Sequence, residues 1–219
     1  MKRHAPHLVS LIALLVSVPG TAAAQGFQNL NFEHPVLPLV PDFDNKVAAS
    51  DAMPGWSAYI GGSQVSLVSY NGISLGGVTI GFLGPDSLRP AIQGNYAVFL
   101  QPGLGSSGTD VLQAAITQTG TVPGTTLSLR FYSAYGTPSV SFAGQQLSTS
   151  VLGAGPNQAS LYGADISRFA GQVGELRFEG YSLLDAISLS TLPVPEPGTL
   201  GVLALGAVLL GCVRGRSRG

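Results

Sequence analysis

The middle of this chain of 219 residues contains many short segments, each apolar or alternating and each about as long as a β-strand. No long segment in it keeps the 3.6-residue period of a helix. Residues 126–133 alternate, with Leu127, Leu129 and Phe131 on one side of the predicted strand. Clusters of glycine, proline, asparagine and serine separate the runs, as is typical of turns. We therefore predict an all-β fold, a single β-sandwich or jelly roll, over residues 25–193.

Strands are predicted at regular intervals through this domain, with one helical turn over Ala164–Phe169. The predicted strands span residues 57–60, 65–70, 78–83, 95–101, 111–117, 126–133, 140–143, 146–151, 175–180 and 183–189. A domain of this length buries enough apolar surface to be stable without disulfides.

The amino terminus has the three-part order of a secretory signal peptide. Lys2 and Arg3 precede an uncharged apolar run, Leu8–Val18, and small residues follow it at Ala22–Ala24. We predict that residues 1–24 are removed after Ala24. The alternative is an uncleaved anchor helix, although a membrane span needs about 20 residues and this run is shorter.

The carboxyl terminus carries a second uncharged apolar run that ends in a basic cluster. We predict a transmembrane helix over residues 199–213, with Arg214, Arg216 and Arg218 as a stop signal on the cytoplasmic side. The run is short for a hydrocarbon core of about 30 Å, so either the bilayer must thin around it or the flanking arginines must snorkel to the interface. The alternative is a buried core helix.

Val194, Pro195, Glu196 and Pro197 stand directly before this helix. The order of motif, apolar helix and arginine cluster resembles the PEP-CTERM sorting signal. The resemblance implies export by a Gram-negative bacterium that makes extracellular polysaccharide, with an exosortase in the inner membrane recognising the motif. Proline keeps such a segment extended, which suits a peptidase that takes its substrate as a strand.

The predicted organisation is thus a signal peptide (1–24), a β-sandwich domain (25–193) and a sorting signal (194–219), which comprises the motif 194–198, the helix 199–213 and the tail 214–219. Signal peptidase and exosortase are the expected partners during export, with transient anchoring in the inner membrane. The expected destination is the cell surface or the extracellular matrix, where exopolysaccharide is a candidate partner.

Charge and cysteine content exclude several classes of function. All 11 acidic residues and five basic residues lie in the stretch from Glu33 to Glu196, so the part of the chain between its two basic ends, Glu196 included, has a net charge of −6. Nucleic-acid binding by charge is therefore not expected. The single cysteine, Cys212, lies in the predicted helix 199–213, so the domain has neither a disulfide framework nor a cysteine nucleophile.

We predict that the protein is not an enzyme. His34 is the one histidine of the exported part, and no G-x-S-x-G sequence is present. A glycan hydrolase with paired carboxylates is the weaker alternative, and its candidate residues are Asp165, Glu175 and Glu179.

Asn29–Glu33, Pro54-Gly55-Trp56 and Leu184–Ile187 together resemble the galactose-binding-like jelly rolls of many carbohydrate-binding modules. That resemblance implies a structural calcium held by Glu33 and Asp185; no other cofactor is predicted. Asp185 also shares strand parity with Ile187, so its carboxylate is expected to lean toward the core and to need a partner. The alternative partners are backbone amides or an arginine such as Arg177.

Aromatic residues are the remaining source of binding chemistry, because sugars stack their C–H faces on exposed rings. The rings available to such a surface are Trp56, Tyr59, Tyr70, Tyr132, Tyr135, Tyr162 and Tyr181. Tyr132 and Tyr135 are the preferred carbohydrate contacts, and Trp56 is a third, for which a place in the core is the stronger alternative. A structural or adhesive matrix protein without a small ligand is the alternative function.

Overall fold

The computed structural model describes residues 25–195, which contain sixteen β-strands and one short helix, α1 (Ala49–Ala52). The strands are β1 (Lys46–Ala48), β2 (Ser57–Ile60), β3 (Ser63–Val65), β4 (Leu67–Tyr70), β5 (Thr79–Leu83), β6 (Ala97–Gln101), β7 (Gly103–Leu104), β8 (Val111–Leu112), β9 (Ala114–Thr121), β10 (Ser128–Ala134), β11 (Ser139–Phe142), β12 (Gln145–Leu147), β13 (Thr149–Ala154), β14 (Ser160–Asp165), β15 (Val173–Glu179) and β16 (Ser182–Ser190). Short 3₁₀ turns lie at Pro156–Gln158 and Ser167–Phe169.

The strands form two large sheets and a small hairpin. The first sheet has eight strands in the order β1-β4-β5-β6-β16-β10-β14-β13, and the second has six in the order β12-β11-β15-β9-β2-β3. Strands β7 and β8 pair separately. Neighbouring strands are antiparallel except for β4 and β5, which are parallel. The prediction of an all-β domain is confirmed.

The two large sheets share one hydrophobic core. Phe131 of β10 packs edge-on against Phe178 of β15, with ring centroids 5.2 Å apart, and both side chains are fully buried. Ile116 of β9 and Phe82 of β5 belong to the same cluster. Burying a side chain of this size contributes about 1.5–3 kcal/mol, so this shared layer is a main source of the domain's stability.

A second, smaller cluster lies on the outer face of the eight-stranded sheet. Val98 of β6 belongs to the main core, whereas its neighbour Phe99 joins Leu183 of β16 in the outer cluster. Ile92, in the loop before β6, covers this cluster. Because β6 is buried on both faces, residues 97–100 are all apolar, which explains why the strand predicted at residues 95–101 shows no alternation.

Strand β16 contains a bulge that changes which side chains face the core. In its pairing with β10, Tyr132 lies opposite Asp185 and Arg130 lies opposite Ser188, so one residue of β10 faces two of β16. Ala186 within the bulge has φ +46°. Leu184 and Ile187 both reach the main core, although they are three residues apart. Asp185 is buried as expected, but the predicted shared parity with Ile187 was wrong, because the bulge reverses the alternation.

Several predicted elements have different limits in the structure. The strand predicted over 146–151 is two strands, β12 and β13, which belong to different sheets. The strand predicted over 111–117 divides into β8 and β9, and the helical turn predicted over 164–169 is confined to the 3₁₀ turn at Ser167–Phe169. Strands β1, β3, β7 and β14, and helix α1, were not predicted.

The predicted signal peptide (1–24) and residues 196–219 lie outside the described residues. The second range includes Glu196, Pro197, the predicted helix 199–213 and the arginines at 214, 216 and 218. Within residues 25–195, none of the helices has the length and apolar character to cross a bilayer.

Candidate functional site

Two exposed tyrosines flank one buried ring on the outer face of the eight-stranded sheet. Tyr135 directly follows β10, and Tyr181 lies between β15 and β16. Both rings pack edge-on against Phe99, at centroid distances of 6.1 Å and 5.4 Å. Phe99 is buried, whereas Tyr135 is 57% exposed and Tyr181 is 45% exposed. The arrangement presents two aromatic side chains to solvent from a fixed base.

Arg89 completes this surface. The Cζ atom of its guanidinium lies 4.6 Å from the ring centroid of Tyr135 and 5.4 Å from that of Phe99. A guanidinium over an aromatic ring is held by cation–π attraction, which fixes the orientation of an otherwise flexible side chain. We call Arg89, Phe99, Tyr135 and Tyr181 the aromatic platform.

Grooves lie on both sides of Tyr135. One has a volume of about 460 Å³ and the other about 490 Å³. The first is lined by Asn71, Ile73, Leu83, Ser87, Leu88, Arg89 and Tyr135. The second is lined by Pro90, Ala134, Tyr135, Asn157 and Gln158. Each combines apolar surface with amide or hydroxyl groups, which is the mixture that a sugar ring requires.

The backbone at Tyr135 adopts a conformation that side chains rarely take. Its φ is +66°, in the left-handed region, where a residue with a Cβ costs about 1–3 kcal/mol. The turn is held by Ser133, whose Oγ donates to the carbonyl of Gly136 at 2.6 Å. Gly136 itself has no room for a Cβ, because the atom would collide with the carbonyl of Tyr181. The turn therefore places both tyrosines at one point on the surface.

The other two predicted sugar contacts have different surroundings. Tyr132 is half-buried, and its ring lies against Gly155 in the loop after β13. Trp56 is only 4% exposed; it packs on Phe32 and Phe178, and its Nε1 donates to the carbonyl of Asn29. Trp56 is thus a core residue, as the stronger alternative held.

Glu33 and Asp185 approach the same loop, residues 92–96. The Glu33 carboxylate accepts hydrogen bonds from the backbone N–H groups of Asn95 and Tyr96, both at 2.9 Å. Asp185 accepts from the backbone N–H of Gln93 at 2.8 Å and from that of Ala186 at 2.6 Å. Of the alternative partners predicted for Asp185, the structure therefore shows backbone amides.

This carboxylate pair does not have the donor set of a calcium centre. The groups that surround the two carboxylates in the structure are N–H donors, whereas a calcium ion needs several further oxygen ligands beside the carboxylates. The orphaned buried atom of the neighbouring segment, Asn29 Nδ2, is also an N–H donor. No group of three or more His, Cys, Asp or Glu side chains suited to a metal occurs within residues 25–195. Burial is the main cause that raises the pKa of Asp185 to about 7; the nearby negative charge of Glu33 acts in the same direction, and the backbone N–H groups act against it.

The carboxylates considered for hydrolysis take part in local contacts. Asp165 accepts a hydrogen bond from the backbone N–H of Ser167, and its hydrogen bonds with Ser167 lower its pKa. Glu179 forms a salt bridge with Arg177. Glu175 is exposed on β15, and His34 is exposed in a loop.

The segment that leads into the sorting motif is fastened to the domain. Ser128 Oγ donates to the carbonyl of Leu192 at 2.7 Å, and the guanidinium of Arg130 donates to the carbonyls of Leu192 and Pro193 at 3.4 Å and 3.3 Å. Val194 lies against Gly163 of β14. We call residues 191–195 the junction. Two residues of the predicted motif, Val194 and Pro195, thus lie on the domain surface.

Sequence reasoning preferred Tyr135, named Tyr181 only among seven candidate rings, and missed Arg89. Arg89 follows a loop rich in glycine and proline, and no periodic pattern marks its position. Only the fold brings this loop to the end of β10, so no local sequence signal could have identified the contact between Arg89 and Tyr135.

Comparisons with known proteins give one informative match. No curated protein sequence matches the chain. Among solved structures, the enzymatically active domain of tailspike protein 4 from bacteriophage CBA120 is similar, at 15% identity and a TM-score of 0.33. The match covers 61% of this chain and 19% of that chain. Similarity at this level carries no information about the function of the domain.

The informative match is at the carboxyl terminus. Residues 193–218 match the model of the PEP-CTERM protein-sorting motif. The match includes the four motif residues, the apolar run and the arginines. It confirms the resemblance drawn from the sequence and implies export, membrane-linked sorting and processing by an exosortase. This chain carries a carboxyl-terminal PEP-CTERM sorting motif.

Proposed function

We propose that the mature protein is a non-enzymatic carbohydrate-binding protein of the cell surface or extracellular polysaccharide matrix. Its sorting motif delivers it there, and the aromatic platform binds sugar. The observation that carries the proposal is the pair of exposed tyrosines, Tyr135 and Tyr181, packed on one buried ring beside two grooves. Exposed rings held rigidly bind with little loss of side-chain entropy, which favours a weak ligand such as a sugar.

The first experiment tests sugar binding. The full chain in detergent is applied to a glycan array that includes the polysaccharide of the native host. We expect Tyr135→Ala and Tyr181→Ala each to weaken binding by about tenfold, because each removes a stacking surface worth about 1 kcal/mol or more.

Tyr59→Ala is the matched control. Tyr59 is a half-buried ring on β2 of the other sheet, with the Arg177 guanidinium 5.6 Å from its centroid. Its loss removes a similar side chain without touching the platform. Equal weakening in all three variants would contradict the proposed location, and absence of binding by the folded wild type would contradict sugar binding.

A structural or adhesive role is the second candidate, and a specific segment favours it. The loop before β1 exposes four large apolar side chains: Val36, Leu37, Val40 and Phe43. Phe43 is completely exposed. Apolar side chains grouped on one loop are typical of protein contacts. Matrix retention that is lost in Phe43→Ser and kept in Tyr135→Ala would favour this role.

Hydrolysis is the weakest candidate. Release of reducing sugar from the host polysaccharide by the purified protein, lost when Asp165, Glu175 or Glu179 is replaced, would establish it. We expect none.

Delivery is tested on the protein from its native host. Mass spectrometry is expected to find Gln25 as the first residue and a carboxyl terminus upstream of the arginine cluster. A cytosolic product with Met1 and Gly219 intact would contradict export and sorting.

A further inference from the structure

Arg89 has no ionic partner within residues 25–195. The one salt bridge of those residues joins Arg177 and Glu179. The Arg89 guanidinium makes no hydrogen bond to any of them, and its described contacts are the rings of Tyr135 and Phe99. Its N–H donors are therefore available, while stacking holds the planar group in place.

The charge around Arg89 is unusual for this domain. Residues 25–195 hold ten acidic and five basic side chains, so the domain is negative as a whole. Of the residues that line the two grooves beside Tyr135, Arg89 is the only charged one. The aromatic platform thus carries one positive charge, and no carboxylate lines the two grooves beside it.

A guanidinium with free N–H groups matches a carboxylate, which it binds through two parallel hydrogen bonds. Half-burial beside two rings strengthens such a bond, because water screens it less. An uncharged sugar gains only ordinary hydrogen bonds from the same group, so the two ligand types differ in how much they depend on the charge.

We propose that the aromatic platform recognises an acidic polysaccharide through a uronic-acid residue. The carboxylate of the sugar pairs with Arg89, and the ring of the sugar stacks on Tyr135. Tyr181 and the amides of Asn157 and Gln158 lie where neighbouring sugar units pass. This inference rests on the proposed function and specifies the ligand that the platform takes.

The test compares three polysaccharides: polygalacturonate, neutral dextran and dextran sulfate. Binding of the full chain in detergent is measured for the wild type, Arg89→Gln, Arg89→Lys and Arg168→Gln. Arg168 is the matched control because its guanidinium also stacks on a ring, that of Phe169 at 4.7 Å, but it lies beside Asp165. Circular dichroism and thermal melting confirm that each variant is folded.

The expected result is preference for polygalacturonate, weakened about tenfold or more in Arg89→Gln and unchanged in Arg168→Gln. Arg89→Lys keeps the charge but not the two-pronged geometry, so it restores only part of the affinity. Rising salt weakens the binding to polygalacturonate more than any binding to dextran.

Three other results overturn the inference in distinguishable ways. Equal binding of polygalacturonate and dextran, unaffected by Arg89→Gln, rejects the acidic ligand and leaves the proposed sugar-binding function in place. Dextran sulfate bound as tightly as polygalacturonate rejects carboxylate recognition in favour of a general attraction to polyanions. Absence of binding to any glycan by the folded wild type rejects both the inference and the proposed function.

Discussion

The carboxyl of Asp185 is fully buried, and its described partners are backbone N–H groups. Desolvation raises its pKa to about 7, against about 3.9 in an unfolded chain. Between these values the folded state binds a proton that the unfolded state has released. Stability therefore falls as pH rises from about 4 to about 7, by up to roughly 4 kcal/mol at about 1.4 kcal/mol per pKa unit.

This dependence is expected to disappear in Asp185→Asn, which keeps an acceptor but does not titrate. The measurement is the free energy of unfolding by urea at pH 4, 5.5 and 7.5. Glu175→Gln removes an exposed carboxyl and is the control, so its pH profile should follow the wild type. An unchanged slope in Asp185→Asn would show that this carboxyl does not set the pH response.

The same carboxylate offers a test of the calcium prediction. Because its oxygens already accept N–H groups, we expect the melting temperature to be the same in millimolar calcium and in chelator. A calcium-dependent rise that Asp185→Ala abolishes would instead support the site implied by the jelly-roll resemblance.

Ala186 has a left-handed backbone conformation that is unfavourable for alanine. A left-handed backbone costs alanine about 1–2 kcal/mol, whereas glycine loses about 0.5–1 kcal/mol of stability elsewhere through its greater freedom when unfolded. Ala186→Gly is therefore expected to stabilise the domain by about 0.5 kcal/mol, measured by urea unfolding. Ala164→Gly, at a buried position of β14 without this strain, should destabilise it. Equal loss in both variants would refute the argument.

At the scale of elements, the junction depends on two side chains of β10, Ser128 and Arg130. Replacing both, as Ser128→Ala with Arg130→Gln, removes the hydrogen bonds to the carbonyls of Leu192 and Pro193. We expect cleavage by an added protease within the junction to become several-fold faster, while the rest of the domain keeps its resistance.

Ser150→Ala is the control for the junction, since Ser150 lines the same surface depression without a hydrogen bond to the junction. Mass spectrometry of the first cleavage products locates the cut. Equal rates for the double variant and the wild type would show that the junction is held by other contacts.

Strands with strict alternation or continuous burial were predictable, because one local rule fixes their pattern. Strand β10 alternates and β6 is buried on both faces, and both were predicted within two residues of their observed starts. Strand β14 was missed because small residues weaken its pattern, as in Gly163 and Ala164. The bulge at Ala186 has no local signal, since only the pairing of β16 with β10 reveals it.

At the scale of the whole molecule, the carboxyl-terminal sorting motif was predictable and the site was only partly so. The carboxyl-terminal motif is a linear signal, and the family match confirms it. The platform combines β6, the loop before it and the ends of β10 and β15, which are far apart in the chain. Tyr135 was predictable as an exposed ring after an alternating strand, but its contact with Arg89 depends on tertiary structure.

The fastened junction has a consequence for the unprocessed protein. Four residues lie between Pro195 and Leu200, which makes five residue-to-residue steps, and a fully extended chain spans at most about 3.6 Å per step, so this linker is no longer than roughly 18 Å. With the predicted helix 199–213 in the bilayer, the domain stays within roughly 18 Å of the membrane surface. On that prediction, cleavage of the linker is also the step that releases the domain from the membrane surface.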